Sequence, residues 1–241
     1  MEIKNLINVL PWHNKRRWNK RAENRIDKII IHQELGEGTI EQVNKYHVGP
    51  NHISQRGCPH FAYHFGIRKN GEIVQANEFT DVTWHTKGQN SVAIGIMLVG
   101  NFNGPGYDLG TSTPTAQQMQ SLEQLVKYLQ AKYHLTNQEV YGHYHFGKRA
   151  CPGDDVGQWI ENYRNDLSQH PEIKTIPRTF EEIQKRLNHL GYDCGAVDGI
   201  PGPRTSAAIR AFQSEYDLLV DGVVGPQTWK MLLELTVPAV V

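Results

Sequence analysis

Long apolar runs are absent from this 241-residue sequence: no stretch approaches the roughly 18–20 apolar residues of a membrane span. We therefore expect no membrane insertion. An excess of positive charge is also missing, since 25 basic residues balance 25 acidic ones. This balance argues against a general nucleic-acid binder, which must neutralise phosphates. With three cysteines, a disulfide framework is not expected.

The first 28 residues contain no usable secretory core, because a proline and then a basic run come before any long apolar stretch. We therefore expect no signal peptide and synthesis in a reducing cytoplasm. This segment holds eight Lys or Arg residues against three acidic ones. It is interpreted as a solvated lead segment, partly helical, and attraction to an anionic polymer is the alternative.

Apolar runs of strand length and one amphipathic helix pattern fill the first two thirds of the chain. Lys28–His32 and Ser91–Gly100 are nearly all apolar, as in strands buried on both faces. Asn70-Gly71 lies between two further runs and predicts a hairpin. Thr115 begins the helix pattern. We predict an α/β domain over residues 1–168, with a mixed central β-sheet flanked by helices.

The last third differs in pattern. Residues 169–178 hold two prolines and little periodicity, which predicts a linker. Residues 179–236 contain three short helical patterns and predict a small three-helix domain. An internal repeat relates Asp198–Thr205 to Asp221–Thr228, and each copy places a turn before a helix start.

Histidine is abundant, with twelve residues, ten of them before residue 150. His32 ends a predicted strand, and His143 follows another, eight residues before Cys151. Two imidazoles and a thiolate suit zinc, and three protein ligands leave a fourth position open, as in catalytic sites. The spacing alone leaves a second reading, in which Cys151 is a small buried residue.

Five pieces follow one another within residues 25–160: Ile29-Ile-Ile-His32, Ala62-Tyr-His-Phe65, Trp84-His-Thr-Lys-Gly88, Asn90-Ser91 through Ile96, and Gly142-His143 to Cys151-Pro-Gly153. Read together, they resemble the zinc-dependent N-acetylmuramoyl-L-alanine amidases of the type 2 family. That family also includes peptidoglycan recognition proteins and phage lysis amidases. The repeat at 179–236 is similar to the peptidoglycan-binding-domain-1 module.

The resemblance implies that His32, His143 and Cys151 hold Zn²⁺. It implies hydrolysis of the amide between N-acetylmuramic acid and the L-alanine of the stem peptide, by water that the metal activates. Tyr63 would handle a proton or orient the nucleophile; a strand tyrosine with a satisfied hydroxyl is the alternative.

Two positions depart from the family pattern. Many bacterial members carry a general-base glutamate where this chain has Met97, so the base function falls to Tyr63 and the activated water. The phage-like branch commonly has a lysine six residues after the second histidine, where Arg149 stands here, next to Lys148. We rank Arg149 above Lys148 as the cation that stabilises the oxyanion. His85 is predicted to contact substrate in the cleft, or to be structural.

The sequence therefore predicts a monomeric bacterial cell-wall hydrolase, with an amidase domain and a peptidoglycan-binding domain that anchors it. The expected setting is a phage endolysin, made in the host cytoplasm, that reaches the wall after release and lyses the cell. Three alternatives stay open: an amidase that recycles soluble muropeptides in the cytoplasm, a zinc peptidase that cuts within the stem peptide, and a recognition protein that binds peptidoglycan without cutting it.

Overall fold

The computed structural model describes residues 1–103, 112–165, 176–216 and 218–236. Backbone contacts divide the chain into two compact units, with the change from one to the other after residue 156. The predicted domain end at residue 168, and residues 169–175 of the predicted linker, lie outside the described residues. No helix in the described ranges combines the length and apolarity that a membrane crossing needs.

The first unit is built on a six-stranded sheet in the order β1-β4-β3-β5-β2-β6. All neighbouring strands are parallel except β3 and β4, which form the antiparallel hairpin predicted from Asn70-Gly71. This arrangement confirms the predicted mixed sheet. The strands are β1 (Ile3–Asn5), β2 (Lys28–Gln33), β3 (Phe65–Ile67), β4 (Ile73–Gln75), β5 (Ala93–Leu98) and β6 (Val140–Gly142).

Helices accompany the sheet along the chain. The two longest in residues 1–150 begin with capping boxes, since Thr39 and Thr115 each accept a hydrogen bond from the third residue of their helix. Leu122, Leu125 and Leu129 of the second helix are fully buried, as their spacing predicted. The helices of the whole chain are α1 (Ile40–Val48), α2 (Ala116–Tyr133), α3 (Asp154–Arg164), α4 (Phe180–His189), α5 (Pro203–Glu215) and α6 (Pro226–Thr236).

The lead segment is only partly solvated: most of its residues are exposed, but six of the 28 are buried, which corrects the prediction. Ile3–Asn5 form strand β1 at the sheet edge, and the one helical element of the segment is a single 3-10 turn at Glu23–Arg25. Arg21 is buried and donates hydrogen bonds to three backbone carbonyls. Five apolar side chains of the segment belong to the core, although they follow no regular period. Those buried side chains are Leu6, Ile7, Leu10, Trp18 and Ile26.

Helices α4, α5 and α6 form the three-helix domain predicted for the C-terminal part, around a core that includes Leu187, Phe212 and Trp229. The internal repeat has a structural cause. A buried glutamine on α4, Gln184, holds the first Asp-Gly turn and the start of the next helix through five hydrogen bonds. Gln213 on α5 makes the same five bonds with the second copy.

Candidate active site

Three candidate metal ligands meet at one edge of the sheet. Strands β2 and β6 are parallel neighbours, so their carboxyl ends lie side by side. His32 is near the end of β2, and His143 follows β6 directly. The loop after His143 folds back, and its Cys151 carbonyl accepts a hydrogen bond from the Tyr144 amide at 2.9 Å. One ligand atom from each of His32, His143 and Cys151 lies within 4.8 Å of the others.

The ring of His32 is buried and held on both sides. Its Nδ1 lies 3.7 Å from Sγ of Cys151, and its Nε2 lies 3.1 Å from Nδ1 of His85. The ring of His143 meets it edge to face, with the two centroids 4.6 Å apart. His32 therefore turns one nitrogen towards the thiol and the other towards His85.

Burial keeps these ligands uncharged in the absence of a metal. It lowers the pKa of His32 well below its usual 6.5, with His143 and His85 as smaller causes. It lowers the pKa of His143 to about 4, helped by the positive charge of Lys148. Burial also raises the pKa of the Cys151 thiol to about 12. Neutral imidazoles offer lone pairs, and a divalent cation would displace the thiol proton, so this donor set fits zinc.

An open cleft of about 630 Å³ includes this cluster. Tyr63 lines it, with its ring centroid 4.9 Å from that of His32. Burial, followed by the Cys151 sulfur, raises the pKa of the Tyr63 hydroxyl above its usual 10, so this hydroxyl carries its proton at neutral pH. The cleft can thus supply a hydrogen-bond donor beside the metal ligands. Other lining residues include Glu34, Tyr46, His47, Ile53, Trp84 and Lys87.

The two candidate cations are placed differently. Lys148 lines the cleft, and its charge acts on the pKa values of both His143 and Cys151. Both residues are exposed, but Arg149 is not among the residues that line the cleft. The sequence ranked Arg149 first, whereas of the two residues Lys148 lines the cleft together with candidate metal ligands.

His85 reaches the cleft wall but is 6% exposed, and its ring packs against His32. Burial lowers the pKa of His85 to about 3, so the ring is neutral. His64 lies behind it and is fully buried, with its Nδ1 accepting the amide N–H of Gly95 at 3.1 Å.

Gln33 also contributes to the candidate metal site, and the sequence analysis did not predict this. Its backbone N–H lowers the pKa of the Cys151 thiol, as a hydrogen bond to sulfur does. Its side chain donates to the carbonyl of Ala150 and accepts the amide N–H of Phe102. Gln33 thereby ties the cysteine loop to the end of β2. In the sequence, only its position directly after His32 could have indicated this role.

Comparison with known proteins gives two family matches. The family model described as N-acetylmuramoyl-L-alanine amidase matches residues 22–154. The model for the peptidoglycan binding domain matches residues 179–232. These two ranges agree with the two parts that the sequence patterns separated.

Three similar proteins illustrate the first match. The endolysin of Klebsiella phage KP32 is 28% identical over 160 residues, covering 65% of this chain and 98% of that protein. The endolysin of Escherichia phage T7 is 31% identical over 148 residues, covering 58% of this chain and 88% of that one. Among solved structures, the N-acetylmuramoyl-L-alanine amidase LysC from Clostridium intestinale URNW superposes with a TM-score of 0.54 at 27% identity. That match covers 70% of this chain and 98% of LysC.

Proposed function

Because the chain belongs to the N-acetylmuramoyl-L-alanine amidase family, we propose that it is an endolysin that cuts peptidoglycan between N-acetylmuramic acid and L-alanine with zinc. The observation that carries the zinc assignment is the convergence of two imidazoles and one thiol within 4.8 Å. His32, His143 and Cys151 would hold the metal. Zinc bound by three protein ligands polarises the scissile carbonyl and makes water nucleophilic at neutral pH.

Tyr63 and Lys148 supply the groups that the reaction needs from the protein. The protonated hydroxyl of Tyr63 can donate a hydrogen bond to the carbonyl oxygen as negative charge develops there. The ammonium group of Lys148 adds a positive charge on the same side of the cleft. Met97 faces His32 across the β2–β5 pairing and offers no base. Tyr63 carries its proton, so it would orient the nucleophilic water rather than deprotonate it, and the metal would lower the pKa of that water.

The second module would act as an anchor. We propose an amidase domain over residues 1–168, a linker at 169–178 and a wall-binding domain at 179–236. A module that holds peptidoglycan keeps the cleft close to an insoluble substrate and so raises its effective concentration. The protein would work as a monomer, made in the bacterial cytoplasm and released to the wall, as the similarity to phage endolysins suggests.

The test is digestion of purified cell wall, with and without a chelator, followed by mass analysis of the soluble products. Free stem peptides that begin with L-alanine, lost on chelation and restored by zinc, are expected. Fragments cut within the peptide would instead indicate a peptidase. Intact wall with bound protein would indicate a recognition protein, and cleavage of soluble muropeptides alone would indicate a recycling amidase.

A matched pair of variants isolates the metal ligand. Cys151→Ser is expected to lose zinc and wall digestion together, because the thiolate is one of three ligands. Cys58→Ser changes another buried free thiol that lies outside the cluster, and it should keep both properties. Full activity of Cys151→Ser would refute the proposed site.

A further inference from the structure

A second histidine supports the ring of His32 from the side that faces away from Cys151. Nδ1 of His85 lies 3.1 Å from Nε2 of His32, and the two rings meet edge to face with centroids 5.1 Å apart. The other nitrogen of His32 points at Sγ of Cys151, 3.7 Å away. Each nitrogen of His32 therefore has its own partner.

The tautomer that His32 adopts in this contact decides which of its nitrogens is free to bind a metal. A neutral imidazole has one N–H and one lone pair. When Nε2 of His32 carries the proton, it donates to the lone pair on Nδ1 of His85, and Nδ1 of His32 is left as a ligand. With the opposite tautomer, the lone pair would point at His85, and the nitrogen near Cys151 would carry a proton.

The backbone leaves room for His85 in this position. Gly95 of β5 lies against its ring, and a Cβ atom there would come within 2.7 Å of Cγ of His85. The loop that carries His85 is fixed by a hydrogen bond from the amide of Thr86 to Oδ1 of Asn90 at 2.7 Å. The hydroxyl oxygen of Thr86 also lies 3.4 Å from Nε2 of His32, which makes it a second, longer contact. Burial, backbone and loop all hold His85 against His32.

We propose that His85 is a positioning residue that orients His32 and selects the tautomer that binds the metal, rather than a substrate contact. The proposal rests on the zinc site of the proposed function. Partners of this kind hold a ligand imidazole in place, and their loss typically weakens metal affinity about 10–100-fold. A residue that contacts substrate would instead change KM and leave metal affinity unaltered.

The experiment measures zinc affinity directly, by competition with a chromophoric chelator on the full-length protein stripped of metal. His85→Ala should raise the Kd for zinc about 10–100-fold. His85→Asn should recover much of that loss, because its amide oxygen can accept the His32 proton where Nδ1 did. With zinc saturating, the KM of His85→Ala for wall fragments should equal that of the parent.

Thr86→Val is the matched control in the same loop, and its Kd for zinc should change less than that of His85→Ala. Parent-like zinc affinity in His85→Ala, or a larger loss in Thr86→Val, would overturn the positioning role. If the parent itself binds no zinc, both this inference and the zinc site fall. If the parent binds zinc and His85→Ala binds it equally well, only this inference falls. The circular dichroism spectrum of each variant verifies that it is folded.

Discussion

The glutamine contacts that repeat in the C-terminal domain predict a large stability loss from one buried substitution, Gln213→Leu. The side-chain nitrogen of Gln213 donates to Asp221 Oδ1, the Val223 carbonyl and Thr228 Oγ1, at 2.8, 2.9 and 3.3 Å. Its oxygen accepts the backbone N–H groups of Asp221 and Gly222, at 3.1 and 2.8 Å. Leucine has a similar size but can make none of these bonds.

The magnitude follows from the groups left without this partner. The Gly222 N–H loses its acceptor, which costs about 1–3 kcal/mol when the group is buried. The Asp221 N–H still donates to the Leu219 carbonyl, and the Val223 carbonyl still accepts the Gly225 N–H, both at 2.9 Å. Asp221, Gly222 and Val223 are half-buried, so water can reach them in part and the lower end applies. The other four hydrogen bonds add about 0.5 kcal/mol each to about 1 kcal/mol for the Gly222 N–H, so the sum is about 3 kcal/mol. A domain of this size is stable by about 3–9 kcal/mol in total.

Hydrogen exchange followed by mass spectrometry on the full chain measures this loss, because it reports on peptides from α4, α5 and α6 separately. About 3 kcal/mol corresponds to roughly 100-fold faster exchange of their protected amides. Gln227→Leu alters an exposed glutamine of the same domain and should change stability by less than about 0.5 kcal/mol. Unchanged protection in Gln213→Leu, or equal losses in both variants, would refute the reasoning.

Three further predictions concern the first unit. Burial lowers the pKa of His47 to about 4 in the folded protein, whereas the unfolded chain binds this proton below about pH 6.5. Acidification from pH 7 to 5 therefore favours the unfolded state, and this residue alone should lower the free energy of unfolding by about 2 kcal/mol. Equal urea midpoints for the metal-free protein at the two pH values would contradict this. Lys148→Ala should lower kcat on wall about 100-fold, with Arg149→Ala within a few-fold, and the reverse order would exclude Lys148 as the main cation. Trp18→Ala should destabilise the unit by about 3–5 kcal/mol in thermal unfolding, whereas exposed Arg17→Ala should change little.

The sequence predicted the fold best where a short-range pattern of residues determines the local structure. Lys28–His32 covers strand β2 except its last residue, and Ser91–Gly100 contains β5, since strands covered on both faces are continuously apolar. Asn70-Gly71 predicted a hairpin because its turn needs positive φ, which Gly71 adopts at 84°. The candidate ligands His32 and Cys151 were found through motifs that keep their order along the chain.

The structural features that the sequence did not predict depend on packing between residues that are far apart in the chain. The apolar residues of the lead segment follow neither helical nor strand period, so their burial could not be inferred without the sheet edge they cover. The role of His85 depends on a contact between residues 53 positions apart. The choice between Lys148 and Arg149 depends on which way a loop side chain turns, and adjacent positions give no signal for that.

The candidate metal site cannot form independently of the sheet, because its ligands come from segments 119 positions apart in the chain. His32 and His143 are neighbours only while β2 and β6 pair, and the cysteine loop is held to β2 by Gln33. An unfolded chain has no such arrangement, so a metal that binds these three residues together binds the folded state. Zinc should therefore stabilise the first unit by about 4 kcal/mol at a thousandfold excess over its Kd. Folding and catalysis thus depend on the same strand pairing.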